Sequence, residues 1–114
     1  MIDFACKTFK LEDIIKCGLG LTKADLNILK FLINLNKETN SEFISKKLNL
    51  DLSTVQRSVK KLSEREIIFR YQTNLDNGGY IFTYKSKSKK VIAKIINEVV
   101  SKWHKRVETE LNRW

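Results

Sequence analysis

The sequence predicts a mainly α-helical domain with one β-hairpin, an α+β class of fold. Apolar residues recur at helical spacing through the first 65 residues and again after residue 88. Between these stretches, two short runs rich in β-branched and aromatic residues flank an Asn-Gly step, a pattern typical of a hairpin. The chain has 114 residues, of which 42% are hydrophobic and 31% charged. This length and composition predict one globular domain with a single core over residues 1–114.

The first two predicted helices lie before residue 37. The segment TFKLEDIIKC, residues 8–17, has apolar residues close to helical spacing, and GLGL then ends this short amphipathic helix. Thr22 opens the segment TKAD, whose Thr-x-x-Asp pattern resembles a capping box. The helix that follows, residues 23–36, carries a wide apolar arc. We therefore expect this helix to be central to the core.

Two further helices are joined by a short turn. After the polar break KETNSE, Asn40 or Ser41 can cap a helix of residues 41–48. Asp51 can cap the next helix, which extends to about Arg65. Two helices joined by so short a turn form a helix-turn-helix, here about residues 41–65. The first of the pair would bury Phe43, Ile44 and Leu48.

A hairpin and a long helix complete the chain. The runs IIFRYQT and YIFTYK are joined by NLDNGG and predict a hairpin over about residues 67–85. The last segment predicts a helix of about residues 88–114. The order helix, helix, turn, helix, hairpin is that of a winged helix-turn-helix domain, with the hairpin as the wing and a long C-terminal helix added.

The final helix is longer than a domain of this size can cover, since about 24 residues extend for about 36 Å. Its apolar stripe continues to the last residue, and we expect its far end to meet a second copy of the chain. A terminal helix that folds back on its own core is the alternative. The predicted dimer interface consists of Ile92, Ile96, Val99, Trp103, Val107, Leu111 and Trp114.

The charge of the chain is positive and uneven. Twenty-two Lys and Arg against 13 Asp and Glu give a net charge of +9. Residues 1–50 hold 8 basic and 6 acidic residues, whereas residues 51–114 hold 14 and 7. This excess favours nucleic acid or an anionic membrane surface as a partner, and a solvated Lys-rich surface is the alternative. Because no apolar run approaches the roughly 20 residues of a membrane span, and no signal peptide is evident, we expect a cytoplasmic protein.

The second helix of the helix-turn-helix, which contains DLSTVQRSVKKL, has few apolar residues and many donors and cations. Leu52, Val55, Val59 and Leu62 form the narrow apolar stripe that would lie on the core. In the major groove, Gln56 can pair bidentately with adenine and Arg57 with guanine. We predict base readout by Ser53, Thr54, Gln56 and Arg57. We predict phosphate contacts by Ser41, Lys60, Lys61, Arg65, Arg70, Gln72 and Lys85.

These segments also resemble a known family. LNLDLSTVQRSVKKLSEREII resembles the helix-turn-helix core of MarR and TrmB-type regulators. IIKCGLGLTKADLNILKFL, NGGYIFTYK and the WHKR segment of the last helix resemble small archaeal winged-helix regulators of TrmB-like type. The resemblance covers nearly the whole chain. It implies a homodimeric transcriptional regulator that binds double-stranded DNA sequence-specifically, with the four predicted base readers at the recognition positions.

The sequence also departs from that pattern. MarR-type wings often carry an arginine at the tip for the minor groove, but residues 74–79 contain no cation. The helix of residues 52–65 is therefore expected to carry more of the specificity. Full-length TrmB-type regulators have a C-terminal sugar-binding domain, for which these residues leave no room. Any small-molecule effector, which the sequence does not identify, would have to use the dimer crevice.

Other functions agree less well with the sequence than DNA binding does. A winged-helix module for protein interaction predicts an apolar or acidic outer face on the helix of residues 52–65, and the face is polar and cationic. A thiol- or metal-responsive repressor would use Cys6 and Cys17, but their spacing is not that of a zinc site, and buried or half-buried free thiols are expected. RNA is less favoured because its deep, narrow major groove excludes a helix. No catalytic motif or phosphate loop is visible, so we expect neither an enzyme nor a cofactor.

Overall fold

The computed structural model describes residues 1–114 and contains five α-helices and two small antiparallel sheets. The elements are β1 (Ile2–Asp3), β2 (Thr8–Phe9), α1 (Leu11–Leu19), α2 (Lys23–Leu35), α3 (Ser41–Leu48), α4 (Leu52–Glu64), β3 (Ile68–Asn74), β4 (Tyr80–Ser86) and α5 (Lys89–Arg113). Helices α3 and α4 form the helix-turn-helix, and β3 and β4 form the wing. The predicted class, a winged helix-turn-helix with a long C-terminal helix, is confirmed.

Side-chain caps fix the starts of α2 and α3, as predicted. Thr22 and Asp25 form a capping box at α2, in which each side chain accepts a backbone N–H of the other. The side chain of Asn40 accepts the N–H of Phe43 at 2.8 Å and caps α3. Asp51 occupies the N-cap position of α4 as predicted, but its exposed side chain makes no capping hydrogen bond. The start of α4 is instead held by its backbone, with the N–H of Val55 donating to the carbonyl of Asp51.

The N-terminus differs from its prediction. Residues 8 and 9 belong to β2, which pairs with β1 in a small antiparallel hairpin, so α1 begins only at Leu11. The rings of Phe4 and Phe9 meet edge to face, 5.6 Å apart between centroids. Strands of two residues carry no alternating pattern, so this hairpin cannot be predicted from the residue pattern.

The core lies where α2, α3, α4 and the wing meet. Helix α2 contributes four buried apolar residues, in agreement with its predicted central position: Leu26, Ile28, Leu29 and Leu32. Val55, Val59 and Leu62 of α4 are fully buried, but Leu52, predicted to join them, lies at the start of the helix, lines a cleft beside the wing and is 39% exposed. The predicted burial of Phe43 is also wrong, since it packs against Phe31 at the outer edge of the core.

The first turns of α5 fold back on the chain's own body. Ile92 is only 6% exposed and belongs to the core, and Ile96 and Val99 are half-buried against it. Gly18 allows this close packing of α1 on α5, since a Cβ there would lie 3.3 Å from a methyl group of Val99. Assigning Ile92 to a dimer interface is therefore wrong, and Ile96 and Val99 already have partners within the chain.

The last turns of α5 project from the body. Every residue from Ser101 to Trp114 is exposed, and the molecule measures 63 × 25 × 24 Å. Its radius of gyration is 17.2 Å. A compact domain of this length would have a radius of gyration of about 13 Å. No helix is both long enough and apolar enough to cross a lipid bilayer.

Candidate nucleic-acid interface

The outward face of α4 presents polar and cationic side chains in a row. Ser53, Gln56, Arg57 and Lys60 are exposed and recur at helical spacing, while the opposite side of the helix is buried in the core. Thr54 is half-buried and lies at the border between the two sides. The structure thus places three of the four predicted base readers on one accessible face, with Lys60 beside them.

A cleft beside this face brings together residues from three elements. Its walls include Ser41 of α3, Gln56 and Lys60 of α4, and Arg70 of the wing. The guanidinium of Arg70 lies 4.6 Å from the centroid of the Phe82 ring, a cation–π distance. One acidic residue, Glu42, also lines the cleft. Two cations and two neutral donors therefore converge next to the outward face of α4.

Two cations predicted to contact phosphate are bound to other parts of the chain instead. The ammonium of Lys61 lies 2.6 Å from a carboxylate oxygen of Asp25. The Nε of Arg65 donates to the backbone carbonyl of Leu19 at the end of α1. Both side chains therefore join α4 to a neighbouring helix, and neither belongs to its outward cationic face.

The wing divides the remaining predicted phosphate contacts between its two faces. In the register of the hairpin, Arg70 pairs with Tyr84 and Phe69 with Lys85. Because successive residues of a strand point to opposite faces, Lys85 lies on the face away from Arg70. Gln72 shares the face of Arg70 and is exposed, with its amide 3.5 Å from the side-chain oxygen of Asn74. The register therefore separates Lys85 from Arg70, although both are predicted to contact phosphate.

The tip of the wing is a glycine turn. Gly78 and Gly79 have positive φ angles of 86° and 81°, a conformation that favours glycine. The N–H of Gly78 donates to the carbonyl of Leu75, and Leu75 itself is 46% exposed. The tip therefore offers an apolar side chain and backbone groups, with no cation.

A buried polar cluster under α4 was missed by the sequence analysis. The carboxylate of Asp25 is almost fully buried and accepts hydrogen bonds from Ser58 at 2.5 Å, Lys61 at 2.6 Å and the N–H of Thr22 at 2.9 Å. Burial raises the pKa of Asp25, but these hydrogen bonds outweigh it and leave the pKa below its ordinary value. One signal was available, because Ser58 stands three residues after Val55 and four before Leu62, on the buried side of α4.

The two cysteines are not where they were expected. Cys6 and Cys17 are both free and both exposed, whereas burial or half-burial was predicted. Each lies in the small N-terminal region outside the core, on a loop and on the outer side of α1. No group of three or more His, Cys, Asp or Glu side chains is placed to hold a metal ion.

The fold and this outward face define a winged helix-turn-helix protein. The order of its elements, with a helix-turn-helix followed by a wing, is that of this class. The packing also agrees, because the apolar side of α4 is buried in the core. The chain belongs to the DnaD N-terminal domain family, whose model matches residues 8–107.

Known proteins and structures are similar to this chain over most of its length. The protein MJ1503 of Methanocaldococcus jannaschii is 30% identical over 112 residues, which cover 92% of this chain and 84% of that protein. A structure from Methanosarcina mazei Go1, described as a possible transcriptional regulator, is 55% identical, with a TM-score of 0.93 over 100% of this chain and 96% of that one. A MarR-family protein from Enterococcus faecalis V583 is 11% identical, with a TM-score of 0.56 over 98% and 100% of the two chains. The predicted resemblance to MarR regulators is thus confirmed as a likeness of fold.

Proposed function

We propose that this protein is a transcriptional regulator that binds double-stranded DNA as a homodimer, with α4 in the major groove. The observation that carries the proposal is the face of α4 on which Ser53, Gln56, Arg57 and Lys60 are exposed together. A helix that only supports a core would not need four donors in a row on its accessible side. The likeness to the Methanosarcina mazei structure described as a possible transcriptional regulator supports the same conclusion.

The chemistry of this face suits base readout. The major groove of B-form DNA, about 12 Å wide, admits an α-helix. Gln56 can pair with the N6 and N7 groups of adenine, and Arg57 with the O6 and N7 groups of guanine. Ser53 lies one turn before them and can reach a base or a phosphate. Thr54 is half-buried at the edge of this face, so it can contact only DNA atoms near that edge.

The cleft beside α4 suits the DNA backbone. Lys60 and Arg70 supply the cations and Ser41 a hydroxyl, all lining one cleft next to the base-reading face. Gln72 extends the same face of the wing toward its tip. These four residues form our proposed phosphate-contacting set, and Lys61, Arg65 and Lys85 are left out of it because of where they lie. Since the wing tip holds no cation, we assign the recognition of DNA sequence to α4.

The projecting end of α5 suits pairing with a second copy of the chain. Trp103, Val107, Leu111 and Trp114 form an exposed apolar stripe. In an antiparallel pair with its two-fold axis at Val107, Trp103 lies across from Leu111 of the partner subunit, and Val100 lies across from Trp114 of the partner subunit. Each apolar residue of the stripe then meets another, as a self-complementary two-fold interface requires.

Binding to DNA can be measured with a labelled duplex of random sequence at about 50 mM salt, where electrostatic binding is strong. We expect saturable binding that weakens as salt is raised, and we expect the double variant Arg57→Glu, Lys60→Glu to abolish it. Lys23→Glu, an exposed cation at the start of α2, is the matched control and should bind as the natural chain does. A natural chain that fails to bind the duplex, or a double variant that binds like the control, would overturn the proposal.

A further inference from the structure

Two side chains on the inner side of α4 converge on one carboxylate of α2. One oxygen of Asp25 accepts the hydroxyl of Ser58, and the other accepts both the ammonium of Lys61 and the N–H of Thr22. The side chain of Asp25 is 4% exposed and that of Lys61 is 31% exposed. Asp25 is thus a buried charge whose cation comes from the proposed DNA-reading helix.

Lys61 follows Lys60 directly, and in the absence of Asp25 it could reach solvent. Its side chain has a flexible four-carbon stem and is partly exposed, so its ammonium can turn outward if it is released. In the observed arrangement, the ammonium is directed to α2 and away from the face that carries Arg57 and Lys60. Of the two adjacent lysines, one is free and one is bound.

We propose that Asp25 withholds Lys61 from the DNA backbone and thereby sets the number of cations with which α4 meets DNA. Asp25 is a positioning residue, because it acts through Lys61 and touches no DNA itself. This inference rests on the proposed function, since it concerns a DNA complex. Beyond the proposed function, it assigns a role to Asp25, which lies away from the DNA-reading face and limits binding to DNA of any sequence.

The competition between Asp25 and a phosphate favours Asp25. Moving Lys61 to a phosphate would leave a buried carboxylate without its cation, and an unpaired buried charge is strongly unfavourable. The attraction between Lys61 and a phosphate at the DNA surface would offset little of this loss, because water and salt screen that attraction. The ion pair should therefore survive in the DNA complex.

Withholding a cation has a consequence for specificity. A contact between lysine and phosphate strengthens binding to every sequence alike, so it raises affinity for random DNA as well as for the preferred site. A regulator must find its site among a large excess of random DNA. By holding Lys61, Asp25 favours the base contacts of Arg57 and Gln56 over general attraction to the backbone.

The test compares the salt dependence of DNA binding for four proteins: the natural chain, Asp25→Asn, Lys61→Met, and the double variant. Asp25→Asn removes the negative charge and releases Lys61, so the slope of log affinity against log salt should steepen by about 0.9. Between 50 and 200 mM salt, affinity should then fall about 3.5-fold more than for the natural chain. Lys61→Met and the double variant should keep the natural slope. Lys60→Met is the matched control, and its slope should become shallower by about the same amount.

Several outcomes would overturn the inference. If Lys61→Met flattened the slope as much as Lys60→Met, Lys61 would contact phosphate in the complex despite Asp25. If a folded Asp25→Asn variant lost affinity with an unchanged slope, Asp25 would have a merely structural role. Should Asp25→Asn fail to fold, Lys61→Met still tests the inference, because a shallower slope for that variant would show that Lys61 contacts phosphate while Asp25 is present. Failure of the natural chain to bind any duplex would instead overturn the proposed function, and this inference with it.

Discussion

Helices α4 and α5 are both amphipathic, yet the structure uses their apolar stripes in different ways. On α4 the apolar stripe is buried within the chain, apart from Leu52 at its start, and the exposed side is polar and cationic. On α5 the stripe is buried only as far as Val99, and from Ser101 onward the apolar side itself is exposed. The first pattern suits a polyanion, whereas the second suits another apolar surface. A hydrophobic stripe therefore indicates a partner only after its burial within the chain is known.

The largest effect is expected where the two copies of α5 would meet. Val107→Glu would place two carboxylates at the two-fold axis, and burying each such charge costs several kcal/mol. The dimer dissociation constant should rise about 100-fold or more, which corresponds to about 3 kcal/mol. Light scattering at fixed concentration should show a monomer for this variant and a dimer for Ser101→Glu, which lies off the stripe. An unchanged dimer would place the interface elsewhere.

On α4, the two neighbouring cations should behave differently. Arg57→Ala should cost about 1–3 kcal/mol on the preferred site and relax the base preference, because it removes a bidentate contact to a base. Lys60→Ala should weaken all sequences alike and reduce the salt slope by about 1. Titrations of preferred and random duplexes at several salt concentrations distinguish the two. Equal losses on both duplexes for Arg57→Ala would show that Arg57 does not read bases.

The buried cluster should make stability depend on pH. The pKa of Asp25 is lower in the folded chain than its ordinary value, so the folded state gains stability above that ordinary value and loses it as pH falls through the folded pKa. At neutral pH, Asp25→Asn should lower the unfolding free energy by about 1–3 kcal/mol, because the groups that donate hydrogen bonds to the carboxylate lose their charged acceptor. Below about pH 4 the difference between the two proteins should shrink. Denaturant melts across this range would show a constant difference if the carboxylate were not involved.

The smallest effect concerns Arg65, which joins the end of α4 to the end of α1. Arg65→Ala should lower the unfolding free energy by about 1 kcal/mol, since it removes one hydrogen bond to the partly buried carbonyl of Leu19. It should leave the salt dependence of DNA binding unchanged, because this guanidinium lies away from the outward face. A reduced salt slope would return Arg65 to the phosphate-contacting set.

The fold was predictable because its signals are local. The capping box at Thr22, the cap at Asn40 and the apolar spacing of α2 and α4 are each visible within a few residues, and each helix lies close to its predicted place. The two-residue strands β1 and β2 were not predictable, because so short a strand has no period.

The candidate site was less predictable because it depends on distant pairs. Nothing local to Lys61 shows that its ammonium binds Asp25, 36 residues earlier, or that Arg65 binds the carbonyl of Leu19, 46 residues earlier. Charge alone therefore overestimated the cationic face of α4 by two residues. Likewise, the wing register, which separates Lys85 from Arg70, requires the hairpin pairing to be known.

The outward face of α4 is proposed to read DNA sequence in a symmetric dimer. Selection of bound duplexes from a random pool tests it most directly, because one experiment reports both sequence preference and symmetry. We expect enrichment of a two-fold symmetric site whose half-sites are separated by about one helical turn or a multiple of it, and loss of that enrichment for Arg57→Ala. A selected pool indistinguishable from the starting pool would contradict the claim.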